Sequence, residues 1–169
     1  MRVYLPATLR TLRELCTAGE LTPAPLTGFA VTAALREWFT GGDLEELEYA
    51  AMTDAARASL RMLDQELDRD PDAAPRRVVI SADLADRDVA PAPELDRAAV
   101  LVQVAVPLTA VASVHVDEAE AEDDVRAAAQ AVLAADLGSD DAQFVVDGAE
   151  GYELLWYATQ EIDAVIAEL

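Results

Sequence analysis

The chain has 169 residues, 53% of them hydrophobic, and sets 33 Asp and Glu against 12 basic residues for a formal net charge of −21. That length suits a single globular domain over residues 1–169 with its own core, and the apolar content excludes global disorder. The charge disfavours phosphate-backbone binding, which needs clustered Lys and Arg, and docking to an anionic membrane surface, so neither nucleic acid nor membrane is expected as a partner. Basic proteins and metal cations stay allowed, as does the plain reading that acids keep a protein soluble.

All 12 basic residues are Arg, and the chain contains no Lys and no Asn. Lys and Asn use AT-rich codons, so a high-GC bacterial genome accounts for the bias; a halophile's acidic surface is the rival explanation. One cysteine, Cys16, excludes an internal disulfide and reads as a small buried hydrophobe beside Leu12 and Leu15. The N-terminus lacks a charged region followed by a long apolar run, and no stretch reaches the roughly 18 apolar residues of a membrane span. A cytoplasmic protein is expected.

In chain order, Met1–Leu5 alternates and predicts a strand ending at Pro6. Thr8 caps a helix to about Ala18, with Leu9, Leu12 and Leu15 at helical spacing and Gly19 as the stop. A proline-rich loop follows, then a short strand over Gly28–Val31. Thr32 caps the helix AALREWF, closed by Gly41 and Gly42. Asp43 and Glu46 form a capping box. A second cap signal at Thr53-Asp54 predicts a break, giving helices over 44–52 and 54–68, the second with Ala56, Leu60, Leu63 and Leu67 as its apolar stripe. Val78, Ile80, Ala82 and Leu84 mark a strand, and the polar stretch 85–97, with Pro91 and Pro93, reads as an exposed loop.

Val100, Val102, Val104 and Val106 predict one strand ended by Pro107. Ala112–Val116 predicts another, with Val114 and Val116 inward and Ser113 and His115 on the second face. Asp117 is the expected cap of the next helix, with Glu120 completing a capping box and acids favouring the positive end of the dipole. Val125, Ala128, Ala129, Val132 and Leu133 form that helix's apolar stripe. The segment DGAEG reads as a hairpin turn, with Tyr152–Tyr157 as the returning strand and Thr159 capping a final helix. The fold class is α+β in two layers, a mixed sheet of six or seven strands with helices largely on one face.

The chain contains no GxGxxG, Walker-type loop, GxSxG, HExxH or CxxC motif. His115, the single histidine, is the candidate acid–base residue, and with Asp117 and Glu118 it is also the candidate metal site. A calcium loop is not matched, because the sixth position from Asp117 is Glu122 where glycine is required. Helix capping explains the acids more simply, and no cofactor is expected. Trp38 with Phe39, and Trp156 with Tyr157, are candidate interface residues, since neighbours in each pair point in different directions and aromatic residues dominate interface hot spots. Arg2, Arg10 and Arg13 are expected to pair with the chain's own carboxylates.

Three segments stand together: the start MRVYLPAT, the block LREWF with EELEYAAMTDAARASLRML, and VASVHVDEAEAE followed by ELLWYATQEI. They resemble a family of actinobacterial proteins classed as a domain of unknown function, over nearly the whole chain. The resemblance implies an actinobacterial source and carries over no activity and no catalytic residues. The favoured reading is a non-enzymatic cytoplasmic module that binds a protein partner or forms a homodimer. The alternatives are a small enzyme or ligand binder using His115 with carboxylates, and an acidic mimic of nucleic acid.

Overall fold

The computed structural model describes residues 1–169. Strand β1 (Arg2–Ala7) sits inside the main sheet because both its faces are apolar: Val3, Leu5 and Ala7 enter one core and Tyr4 the other. Helix α1 (Leu9–Ala18) follows, with Thr8 as its N-cap and left-handed Gly19 as its C-cap, as the sequence predicts. The short strand β2 (Glu20–Leu21) leads to β3 (Leu26–Phe29). Gly28 lets β3 lie close on β1, since a Cβ there would come within 2.6 Å of Val3 Cγ1. Helices α2 (Ala33–Trp38) and α3 (Leu44–Arg69) precede β4 (Val78–Asp83). Then come β5 (Val89–Pro91), β6 (Ala99–Val102), β7 (Val106–Pro107) and β8 (Val111–Val116). Helices α4 (Glu122–Asp136) and α5 (Asp140–Glu150), strand β9 (Leu155–Ala158) and helix α6 (Ile162–Ala167) complete the chain.

Seven strands form the main sheet, in the order β5-β6-β3-β1-β4-β8-β9, and β2 pairs with β7 apart from it. Every pairing is antiparallel, which corrects the expected mixed sheet. The reason lies in the connections. Between β8 and β9 the chain makes two passes, α4 and α5, and so re-enters the sheet reversed. The α+β class holds, and most helical residues do lie on one face. There α2 and α3 cover Tyr4, Phe29 and Val79, while α1 and α6 close the other face over Val3, Leu5, Ile80 and Val114.

Further expectations change. The stretch 85–97, read as a loop, contains β5, with Val89 and Ala92 buried, and Leu133 is exposed rather than on the apolar stripe of α4. Helix α3 runs unbroken for 26 residues, because the Thr53 hydroxyl donates to the Tyr49 carbonyl (2.9 Å) instead of capping a new helix. Its length is supported at both ends: Leu47, Ala51 and Ala55 pack on the sheet, and Leu60, Leu63 and Leu67 pack on Val125, Ala128, Val132 and Val146 of α4 and α5. The segment at residues 147–151, read as a hairpin turn, is instead the end of helix α5, which Ser139 caps, its hydroxyl accepting from Ala142 N. The four-valine strand stops at Val102, and Val104 is exposed. Asp117 does not cap α4, which instead grows from a 3-10 turn at Ala119–Ala121.

Ser59 ties α3 to the sheet. Its buried hydroxyl donates to the Ala7 carbonyl (2.6 Å) and accepts from Val78 N (3.1 Å). Ser59→Ala strands both backbone groups away from water, and should lower stability by about 2–3 kcal/mol in urea unfolding. No helix is long and apolar enough to cross a membrane.

Candidate functional site

The sequence candidates do not gather at one place. His115 lies on the α3 side of the sheet, opposite Trp156 on β9, with Nε2 3.3 Å from the hydroxyls of both Ser81 and Ser113. Burial, then the nearby Arg2 charge, holds its pKa below the ordinary histidine value. Ser81 and Ser113 are themselves buried, so this cluster satisfies polar groups within the sheet. Glu118 is exposed.

Asp117 is taken up not with His115 but in a buried ion pair. The Arg77 guanidinium donates twice to its carboxylate (2.8 Å each), Arg77 N donates a third bond (2.8 Å), and Arg77 Nη2 also reaches the Tyr152 carbonyl (3.1 Å). The pair joins the start of β4 to the end of β8 and the segment before β9. Cys16 is half-buried against the α1 and α6 core, and burial raises its thiol. Arg2 pairs with Asp83 and Arg10 with Glu14, as expected, whereas Arg13 is exposed and makes no ion pair.

The interface candidates separate into two regions. Trp156 is 60% exposed on β9, the outermost strand, while Tyr157 turns inward. That strand edge is partly blunted, because the Glu161 carboxylate accepts from Ala158 N (2.7 Å). Trp38 and Phe39 are exposed where α2 ends, and they form one wall of an open groove of about 910 Å³.

This groove is built by three segments. The end of α2 supplies Leu35, Trp38 and Phe39; the first turns of α3 supply Glu45, Glu46, Tyr49, Thr53 and Asp54; the loop between β5 and β6 supplies Asp96 and Arg97. Local capping fixes all three. Thr32 caps α2 by accepting from Leu35 N (3.1 Å), and its hydroxyl also donates to the Arg97 carbonyl. Ala30 N donates to the Ala98 carbonyl (2.8 Å), and Asp96 Oδ1 accepts from Ala98 N (2.9 Å). The loop is thereby held against α2, and the Arg97 guanidinium lies 3.6 Å over the Trp38 ring centroid. The capping box of α3, with Asp43 N donating to Glu46 Oε2 (3.2 Å), orients the acidic first turn.

Asp54 is the unusual group here. Burial pushes its carboxyl up to about 6, and the neighbouring Asp96 charge adds to the rise. Arg57 and Arg61 lie close enough to oppose that rise but bond elsewhere: Arg57 to Asp136, Glu150 and Gln143, Arg61 to Asp136. Asp54 is left without an ion-pair partner. Asp54 and Asp96 also line an adjoining hollow of about 610 Å³ with Thr27, Phe29, Arg57, Arg61 and Leu95. Two hollows thus meet at a pair of carboxylates, with exposed rings on one side. Chemically, such a surface accepts cations: carboxylates supply charge and ring faces supply cation–π attraction.

Of the residues that line this groove, Trp38 and Phe39 stand out in the sequence, and Tyr49, Asp54, Asp96 and Arg97 do not. Asp54 read as a helix cap, and no periodicity links residue 54 to residue 96. The shared grip of Thr32 on Leu35 N and Arg97 O brings the loop alongside, and only the folded chain displays it.

No curated protein and no solved structure matches this chain. A family model does match it, over residues 1–166, so the chain belongs to the family described as a family of unknown function (DUF6912).

Proposed function

We propose that the chain is a non-enzymatic module that holds a basic segment of another protein in the groove between α2, the start of α3 and the loop before β6. The observation that carries this reading is the unpaired carboxylate of Asp54, beside Asp96 in a groove that Trp38, Phe39 and Tyr49 also line. A half-buried carboxylate that Arg57 and Arg61 offset only from a distance, with no ion-pair partner of its own, costs stability, and a partner's cation in the groove would relieve that cost. The exposed rings supply apolar area and cation–π contact in the same place. A different protein fits better than a second copy, because self-association would bring a charge of −21 against another of −21. His115 lies outside this groove, which favours binding over catalysis. The absence of Lys and Asn supports a high-GC actinobacterial source, and the lone cysteine supports a cytoplasmic setting.

The test is a backbone NMR titration with a short peptide rich in Arg and Lys, beside its Glu-substituted counterpart, at physiological salt. Saturable shifts at Trp38, Tyr49, Asp54 and Asp96 with the basic peptide alone are expected. Shifts spread over the whole acidic surface without saturation, or centred on Trp156, would contradict the reading.

A further inference from the structure

Resting on that reading, we infer that the residue anchoring the partner is an arginine, and that Arg97 occupies its place on Trp38 in the free chain. Arg97 is exposed, belongs to a chain with 33 acids, and still lies stacked 3.6 Å over an indole ring rather than in an ion pair. The other groove-side arginines behave differently: Arg57 and Arg61 both turn to carboxylates. A guanidinium is planar and weakly hydrated, so it stacks on an indole face, whereas an ammonium keeps its water and acts as a point charge. The ring is therefore placed to read a guanidinium in particular. The Arg97 carbonyl is held by Thr32 and the adjacent Ala98 carbonyl by Ala30 N, which keeps the Arg97 side chain beside the ring. An incoming arginine meets Glu45, Glu46 and Asp54 in the same groove and competes with Arg97 for the stack.

The experiment compares two short peptides, identical except that one carries Arg where the other carries Lys. Each is titrated by calorimetry into the wild-type chain and the R97A, R97Q and R13A variants, with W38A as the groove control and circular dichroism to confirm each fold. Wild type should prefer the Arg peptide. R97A and R97Q should bind it about two- to fivefold tighter, the range set by freeing one exposed cation–π contact. R13A, which removes the same charge from exposed Arg13 on α1, should bind as wild type does. The inference is overturned if R97A and R97Q bind equally or more weakly, if R13A tightens binding as much, or if the Lys peptide matches the Arg peptide. Those results leave the groove reading standing so long as W38A weakens binding. If wild type binds neither peptide, or W38A changes nothing, the groove reading itself fails.

Discussion

Asp117→Ala is expected to destabilise the fold by about 3–5 kcal/mol, the largest effect of any single substitution considered. The change removes the acceptor for three hydrogen bonds from Arg77 and leaves that guanidinium buried and unpaired. For a chain of this size each kcal/mol lowers Tm by about 2–4 °C, so thermal unfolding should shift by on the order of 10 °C. The effect belongs to the broken pair rather than to the pair's net worth. Replacing both partners with apolar residues of similar volume, R77M with D117L, should therefore recover much of the loss. Urea unfolding of the two variants checks this. A double variant as unstable as D117A would mean that the bonds an apolar pair cannot replace, from Arg77 N to the carboxylate and from Arg77 Nη2 to the Tyr152 carbonyl, matter more than the buried charge.

Trp38→Ala is expected to lower affinity for an arginine-bearing peptide by about 30-fold, the loss typical of an aromatic hot spot of about 2 kcal/mol. Trp38 is 62% exposed, so its removal should change stability by no more than about 0.5–1 kcal/mol, chiefly through the lost stack with Arg97. Trp156 is the natural control, since it is exposed to nearly the same degree on a different part of the surface. W156A should leave peptide affinity unchanged. Equal losses from W38A and W156A would indicate attraction to the whole acidic surface rather than to the groove.

The sequence was most legible where a feature depends on its immediate neighbours. The Thr8, Thr32 and Asp43 caps form as read, because each needs only a side chain and a backbone N–H three residues on. The alternation in β1 survives because both its faces are buried. It was least legible where a distant partner decides. Asp117 looks like a helix cap, with Glu120 three residues on, yet Arg77, 40 residues earlier, takes its carboxylate. Phe144, Val145 and Val146 look like a strand, yet Ser139 and the faces of α3 and α4 make that segment a helix. Half of the groove could be suspected from Trp38 and Phe39. The approach of Asp96 to Asp54 could not, because it is made by a loop held through contacts with Ala30 and with Thr32, 65 residues before Arg97.

Asp54 links the stability of the chain to its proposed role, and with opposite signs. Its folded-state value of about 6 stands above its ordinary value of 3.8. Above that window the carboxylate is charged in folded and unfolded chains alike, and its burial penalty is fully present. As pH falls from about 6 to about 4 the folded chain takes up a proton that the unfolded chain does not, and the penalty is relieved. Asp54→Asn should therefore stabilise the fold by about 1–2 kcal/mol near neutral pH, after allowance for its partial exposure to solvent, with the gain gone below about pH 4.

The most direct test is the affinity of wild type and D54N for one arginine-bearing peptide without titratable side chains, followed from about pH 7.5 down to about pH 5. Wild-type affinity should fall as pH drops through about 6, while D54N binds more weakly at neutral pH and changes little. Parallel profiles of equal strength for the two proteins would contradict the claim that this groove is a cation-binding site centred on Asp54.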